Sequence, residues 1–290
     1  METENKTKGY DLTMEVNDFN LSYDDLGEGR YPIIFLHGFP FDKSMWKEQC
    51  EFLKNSYRLI ACDIRGFGKS TDETTPLSMS LFADDLILFM DKLAIDKTII
   101  CGLSMGGFIA LNAVKRFPER FEGLILCDTQ CIADTAEVKE QRLRDIVEID
   151  NDGVTNFNER FIKKVFHEDS FVNKKELVEN LQDIVFANSK HVISQGLLAL
   201  AVRTETCSTL SKIKIPTLII CGREDAVTPL TQSEYMKSHI EGSILKVIDN
   251  AGHVSNLEQP KEFNEYLNEF LMNQGEFHTE NWLENQRSFR

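Results

Sequence analysis

The sequence predicts an α/β fold, a mostly parallel sheet covered by helices on both faces, from two observations. Short apolar stretches bounded by turn residues alternate along the chain with stretches whose apolar residues recur every three or four positions. This is the alternation of strands and amphipathic helices. Several apolar stretches are uninterrupted, as at residues 32–36, and such runs are expected of strands that are buried on both faces.

Two short strands begin the chain and are expected to form an antiparallel edge, because a polar turn at Asn17-Asp18 joins them. The later strands are apolar, and each ends where glycine or polar residues begin a loop. The predicted strands are residues 12–16, 20–23, 32–36, 57–62, 97–101, 121–127, 217–221 and 243–248. The predicted helices are residues 44–54, 78–93 and 105–117 and a last core helix that begins at Pro260.

One segment breaks this alternation, because it is charged and rich in helix patterns without a convincing buried strand. It lies between two strands of the sheet, where an insertion can cover a pocket at the carboxyl ends of the strands. The alternative is that it is simply part of the core. The predicted divisions are an α/β core (1–130 and 210–272), an inserted helical cap (131–209) and a polar, poorly ordered tail (273–290). If the tail docks on the core, its aromatic residues Phe277, Trp282 and Phe289 would make the contacts.

Composition excludes several classes of partner. The net charge of −15 argues against nucleic acid and anionic membranes, since both require a basic face. The seven cysteines show no Cys-x-x-Cys pair and no zinc-like spacing, which favours free thiols in a reduced, cytoplasmic protein. The polar N-terminus predicts no signal peptide, and no apolar run approaches the ~20 residues of a membrane span. The oligomeric state is left open between a monomer and a homodimer.

The pentapeptide Gly102-Leu103-Ser104-Met105-Gly106 stands between a predicted strand and a predicted helix. In this context it is typical of a nucleophile elbow, a turn so tight that the serine takes strained backbone angles. The glycines leave room for the strand and the helix to approach each other. Ser104 is therefore the candidate nucleophile, with its hydroxyl beside the positive end of a helix.

A serine nucleophile needs a base, usually histidine, and the histidine needs an acid that fixes its tautomer. In elbow-type enzymes the chain order is Ser, acid, His. Of the six histidines, His253 follows the last predicted strand in a glycine-containing loop and is the candidate base. Asp225 follows the preceding strand and is the candidate acid, with Glu224 and Asp249 as alternatives.

Acyl transfer also needs N–H donors for the developing oxyanion. The residue after the nucleophile, Met105, supplies one, and the loop after residues 32–36 is expected to supply the other from Phe39. His37, in that same loop, is interpreted as a structural side chain that ties the loop together. The stretch 63–70, Asp-x-Arg-Gly-x-Gly-x-Ser, lacks the ending of a phosphate-binding loop and is interpreted as a structural turn. No cofactor or metal is expected.

These ordered motifs make residues 10–272 resemble an α/β-hydrolase-fold protein. The resemblance implies an eight-stranded sheet, a Ser-Asp-His triad and a variable cap that determines substrate choice. Framework stretches, such as residues 37–46 and 117–121, are similar to those of 3-oxoadipate enol-lactonases and related small carboxylesterases. The motifs that carry the resemblance are His37-Gly38-Phe39-Pro40, the 63–70 turn, the elbow with Gly107, Gly222-x-x-Asp225 and Gly252-His253.

The first hypothesis is therefore a serine hydrolase that cleaves a carboxylic ester or lactone of a small molecule through an acyl-enzyme on Ser104. The same triad also serves C–C bond hydrolysis and cofactor-free perhydrolysis. A third hypothesis, from another class, is a ligand-binding or signalling protein built on a hydrolase scaffold.

Overall fold

The computed structural model describes residues 8–29, 32–70 and 76–287, with side chains described through residue 273. Within these ranges the chain forms one eight-stranded sheet, and every predicted strand is present. The strands are β1 (Gly9–Val16), β2 (Phe19–Leu26), β3 (Ile33–Leu36), β4 (Leu59–Cys62), β5 (Thr98–Leu103), β6 (Phe121–Cys127), β7 (Thr217–Gly222) and β8 (Ile244–Ile248).

The predicted helices are also present, and further helices fill the segment between β6 and β7. The helices are α1 (Lys47–Leu53), α2 (Met79–Lys92), α3 (Met105–Arg116), α4 (Ala136–Asp152), α5 (Thr155–Val165), α6 (Ser170–Asn173), α7 (Lys175–Phe186), α8 (Lys190–Val202), α9 (Leu230–His239), α10 (Ser255–Glu258) and α11 (Pro260–Arg287). Ser78 caps α2 by accepting a hydrogen bond from the backbone N–H of Leu81 at 3.1 Å, as expected of a serine at this position.

The strand order is β1-β2-β4-β3-β5-β6-β7-β8. β1 and β2 form the expected antiparallel edge, and the strands from β4 to β8 are parallel. β4 lies on one side of β3, and the chain then crosses over so that β5 lies on the other side of β3. Ligands bind where the strand order reverses in this way, and here the loops after β3 and β5 leave the same edge of the sheet.

Alternate residues of the central strands pack into two separate clusters, one on each face of the sheet. In β3, Ile34 and Leu36 belong to one cluster, whereas Ile33 and Phe35 belong to the other. All four side chains are buried, which explains why this strand is an uninterrupted apolar run.

The helical insertion, residues 131–209, contributes helices α4 to α8 between the paired strands β6 and β7. A disulfide joins Cys131 and Cys207, which are 76 positions apart, near the two ends of this insertion. The expectation of free thiols therefore fails for this pair, whereas the other five cysteines are free and buried. Sequence spacing did not indicate the pair, because only the fold brings the two ends of the insertion together.

Removal of this disulfide with the double substitution Cys131→Ala and Cys207→Ala is expected to lower the free energy of unfolding by about 2–4 kcal/mol, because a long loop of the unfolded chain is no longer closed. Denaturant titration with and without reductant measures the effect. The double variant should be insensitive to reductant, and the denatured, unreduced parent should expose five thiols. Identical midpoints for the reduced and unreduced parent would contradict this expectation.

The stretch 63–70 is a structural turn, as expected. The carboxylate of Asp63 accepts hydrogen bonds from the backbone N–H groups of Lys43 at 2.8 Å and Lys69 at 2.9 Å. Arg65 is buried and pairs with Asp85 at 2.7 Å. These bonds hold the turn to its neighbours.

The last helix is longer than the sequence predicts. α11 continues to Arg287, so it includes residues 273–287, and the expectation of a poorly ordered tail stays a prediction. Among the described residues no helix is both long enough and apolar enough to cross a membrane. The polar residues 1–7, the side chains of Phe277 and Trp282, and Phe289 lie outside what the structure describes.

Candidate active site

Ser104 lies between β5 and α3 with φ 52° and ψ −112°, in a backbone region that non-glycine residues rarely adopt. Gly102 and Gly106 allow this turn, because a Cβ atom on Gly102 would overlap the backbone of Gly106, and one on Gly106 would overlap the backbone of β3. The N–H of Ser104 donates to the carbonyl of Cys127 at 3.0 Å, and the hydroxyl of Thr129 donates to the carbonyl of Ser104 at 2.8 Å. The surroundings thus hold the strained residue in place.

The structure brings His253 and Asp225 together. The Nδ1 atom of His253 lies 2.8 Å from Oδ2 of Asp225, and both side chains are buried. A neutral histidine that donates from Nδ1 carries its lone pair on Nε2. The pair therefore presents an imidazole in the tautomer that a general base requires.

Asp225 is itself held by a network of donors. Its Oδ1 atom accepts the backbone N–H groups of Val227 at 2.7 Å and Thr228 at 2.9 Å, and its Oδ2 atom accepts the Thr228 hydroxyl at 2.7 Å. Burial would by itself raise the pKa of Asp225, but the charge of His253 and the hydrogen bonds from His253 and Thr228 outweigh it and hold the pKa below its usual value. The acid therefore stays ionised beside the imidazole.

The two alternative acids lie elsewhere. Glu224 accepts a hydrogen bond from the backbone N–H of Ala251 at 3.2 Å, and Asp249 pairs with Arg223 at the surface. Both carboxylates are exposed, and neither has a hydrogen bond to His253 among the described residues. Of the three candidates, the geometry selects Asp225.

The predicted oxyanion donors belong to adjacent elements. Phe39 follows β3, Met105 is the first residue of α3, and β3 pairs with β5 next to the elbow through Leu36 and Gly102. In the described part of the chain neither backbone N–H donates a hydrogen bond. Both residues are buried. An oxyanion hole needs unpaired N–H groups, and the assignment of Phe39 and Met105 to that role stays a prediction.

His37 holds the loop that carries Phe39, as the sequence predicts. Its Nδ1 atom bonds the carbonyl of Gly38 at 2.8 Å, and its Nε2 atom accepts the backbone N–H of Ile64 at 2.9 Å. This pattern requires the neutral imidazole, and burial also lowers the pKa of His37. The residue is therefore a structural connector.

Ser104, His253 and Phe39 line one cavity of about 260 Å³. A second cavity of about 580 Å³ shares part of its wall, including Phe39, Phe161 and Lys164. Phe161 and Lys164 belong to α5, so the helical insertion forms part of both walls. The serine and the imidazole thus line a cleft with room for a small molecule.

Sequence reasoning missed two residues that hold the candidate acid or its neighbouring segments in place. Thr228 bonds Asp225, and its hydroxyl lies 3.3 Å from Nδ1 of His253; its place three residues after the acid was the available signal. Asp128 accepts the N–H of Gly222 at 2.7 Å and the hydroxyl of Ser255 at 2.6 Å. Burial and the neighbouring charge of Asp225 raise the pKa of Asp128 well above its usual value. Asp128 therefore joins the end of β7 to the start of α10.

Within the described ranges, no group of three or more His, Cys, Asp or Glu side chains is arranged to hold a metal ion.

The sheet is covered by helices on both faces, a strained serine follows β5, and an Asp-His pair follows β7 and β8. Together these features are typical of hydrolases with an α/β fold. The chain belongs to the alpha/beta hydrolase fold family, whose sequence pattern matches residues 31–260. This confirms the family resemblance and the eight-stranded sheet expected from the motifs.

Within this family, the chain is similar to enol-lactonases and esterases. The chain is 30% identical over 253 residues to 3-oxoadipate enol-lactonase 2 of Acinetobacter baylyi, covering 87% of this chain and 93% of the relative. A thermophilic esterase from Thermogutta terrifontis, solved with malate bound, has a TM-score of 0.86 at 32% identity, covering 91% of this chain and 98% of that one. The enol-lactonase from Burkholderia xenovorans LB400 has a TM-score of 0.84 at 25% identity, covering 90% and 100%.

Proposed function

We propose that this protein hydrolyses a carboxylic ester or lactone of a small molecule through an acyl-enzyme on Ser104. The observation that carries the proposal is the His253–Asp225 pair, whose histidine lines the same cavity as the elbow serine. This is the base and acid that a serine nucleophile needs. The names of the relatives, esterase and enol-lactonase, support the same reaction class.

In the proposed mechanism, Nε2 of His253 takes the proton of Ser104 as its Oγ atom attacks the carbonyl carbon. The backbone N–H groups of Phe39 and Met105 stabilise the oxyanion, each contributing about 3–4 kcal/mol. The imidazolium gives its proton to the leaving alcohol, or to the ring oxygen of a lactone. Water activated by His253 then hydrolyses the acyl-enzyme, while Asp225 stabilises the charged imidazole. This sequence of steps requires no cofactor.

We further propose that the substrate carries a negative charge. The walls of the two cavities contain more basic than acidic side chains, although the whole chain has a net charge of −15. Lys164, on both walls, has no carboxylate partner in the described part of the chain. The basic residues are Arg142, Arg144, Arg160, Lys164 and Arg203, and the acidic residues are Asp134, Glu137 and Asp145.

A panel of lactones and para-nitrophenyl esters tests both proposals. Within it, mono-para-nitrophenyl glutarate and para-nitrophenyl pentanoate match in acyl length, but only the first carries a carboxylate. We expect a higher kcat/KM for the charged ester at low salt, because basic walls attract it. Lys164→Ala should lower that kcat/KM about 3–10-fold and leave the neutral ester within about twofold, and added salt should reduce the preference.

Lys163→Ala is the matched control, because Lys163 is the neighbouring exposed lysine of α5 and lines neither cavity. Equal kcat/KM values for the two esters in the parent and in Lys164→Ala would overturn the charge proposal alone. A protein that reacts with a fluorophosphonate probe but cleaves nothing in the panel would instead favour the ligand-binding hypothesis.

A cytoplasmic location also stays a proposal, supported by the five free buried thiols. The Cys131–Cys207 disulfide opposes it, since disulfides persist mainly in oxidising compartments. Rapid alkylation of thiols in intact source cells, followed by mass measurement, shows which state the protein has there.

A further inference from the structure

The loop that carries His253 rests directly on the helical insertion. The backbone N–H of His253 donates to the carbonyl of Val165, the last residue of α5, at 2.8 Å. A Cβ atom on Gly252 would lie 2.8 Å from the nitrogen of His167 and 2.8 Å from the oxygen of Val165. Contact this close requires glycine at position 252, so the base loop and the insertion are in backbone contact.

Glu258, at the end of α10, bridges the same two segments. Its Oε2 atom accepts the backbone N–H of Gly252, adjacent to the base, at 2.6 Å. Its Oε1 atom accepts the backbone N–H of His167 at 2.8 Å and the hydroxyl of Ser170 at 2.6 Å. One oxygen therefore serves the catalytic loop and the other serves the insertion.

The bridge is buried, with Glu258 only 1% exposed. Burial raises the pKa of Glu258 above its usual value although Ser170, Gly252 and His167 all donate to it. A carboxylate in such a place is costly unless its acceptors are satisfied. All three hydrogen bonds to the Glu258 carboxylate form only when the insertion and the base loop are docked together. Burial makes the loss of any of them costly.

His253 consequently has two kinds of anchor from different parts of the molecule. Asp225 and Thr228, from the loop after β7, orient the imidazole ring. Val165 holds the backbone of His253 directly, and Glu258 links the residue before it to the insertion. Movement of the insertion at residues 165–170 would therefore shift the backbone that carries the base.

We propose that Glu258 is a positioning residue that couples docking of the insertion segment 165–170 to the working position of His253, an inference that rests on the proposed hydrolase mechanism. The insertion is then part of what aligns the base, in addition to lining the cavity. An error of about 1 Å in the position of a catalytic group costs about 100-fold in rate.

Glu258→Gln is the diagnostic substitution, because it keeps the shape and removes one acceptor. Whichever way the amide is turned, its NH₂ group faces a backbone N–H, that of Gly252 or that of His167, and one donor is left unpaired. We expect kcat to fall about 10–100-fold with KM within about threefold, and the pH profile of kcat/KM, which reports the base, to shift. Hydrogen exchange should rise together in the segments 162–174 and 250–258.

Glu265→Gln, in the exposed part of α11, is the matched control and should behave like the parent. Ser170→Ala is a smaller change that removes one donor from the insertion side of Glu258. It should lower kcat about 2–5-fold and leave KM within about threefold. This variant provides the test if Glu258→Gln does not fold. A folded Glu258→Gln with parental kcat, pH profile and exchange would overturn the inference. Failure of the parent to react with a fluorophosphonate or to cleave esters would instead overturn the proposed function.

Discussion

Ser104→Ala is expected to abolish turnover of esters and lactones, with kcat lowered about 10⁵–10⁶-fold, because no other group can form the acyl-enzyme. The fold should be unaffected, since alanine occupies the same strained backbone position with one atom fewer. The hydrogen bonds to the carbonyl of Cys127 and from the hydroxyl of Thr129 use only the backbone N–H and carbonyl of residue 104, which alanine keeps. Turnover of para-nitrophenyl esters and covalent labelling by a fluorophosphonate probe measure the loss.

Ser211→Ala is the matched control, because this serine is exposed and belongs to the 3-10 turn Cys207–Lys212 outside the cavity. It should keep parental turnover and labelling. Labelling of Ser104→Ala at the parental rate would show that another residue is the nucleophile and would sink the assignment. Residual ester hydrolysis without labelling would indicate only background catalysis by the remaining site.

Local sequence signals were enough for the sheet and the elbow. An uninterrupted apolar run such as 32–36 has to be covered on both faces, and the structure places its alternate side chains in two clusters. The edge strand β1 begins at Gly9 rather than residue 12, because its largely unburied residues carry little apolar pattern. The polar end of α11 was missed for the same reason, since it has no apolar face that marks a helix.

The order Ser, acid, His narrowed the search for the base from six histidines to one, because it specifies the strand that each residue must follow. It could not separate Asp225 from Glu224, which share a loop. The direction of each side chain distinguishes the two, and the 2.8 Å contact between Asp225 and His253 supports Asp225 as the proposed acid.

Contacts between distant segments had no local signal. Cys131 and Cys207 meet because the insertion returns to its starting point. In the sequence, nothing distinguishes Glu258 from other acidic residues near the start of a helix. Its partner His167, in the insertion, lies 91 positions away. Such contacts depend on how the insertion folds over the core, and periodicity within one segment carries no information about that.

Asp225→Asn is expected to lower kcat about 10³–10⁴-fold near neutral pH. The backbone N–H groups of Val227 and Thr228 need an acceptor, so the amide oxygen should face them and its NH₂ group should face Nδ1 of His253. The imidazole then accepts at Nδ1 and carries its proton on Nε2, where it cannot take the proton of Ser104. The charge that stabilises the imidazolium is lost as well.

The pH dependence of kcat in stopped-flow or steady-state ester assays measures this effect. The two neutral tautomers of an imidazole carry the same number of protons, so the loss should persist when the pH is raised. Asp249→Asn and Glu224→Gln are the matched controls, since both carboxylates were alternatives in sequence and both are exposed. Each should stay within about twofold of the parent, as surface charges of this kind contribute little. If Glu224→Gln or Asp249→Asn instead produced the large loss while Asp225→Asn retained activity, the acid would be misassigned. The 2.8 Å contact between Asp225 and His253 would then be a structural bond, and the catalytic carboxylate would be Glu224 in the loop after β7 or Asp249 after β8.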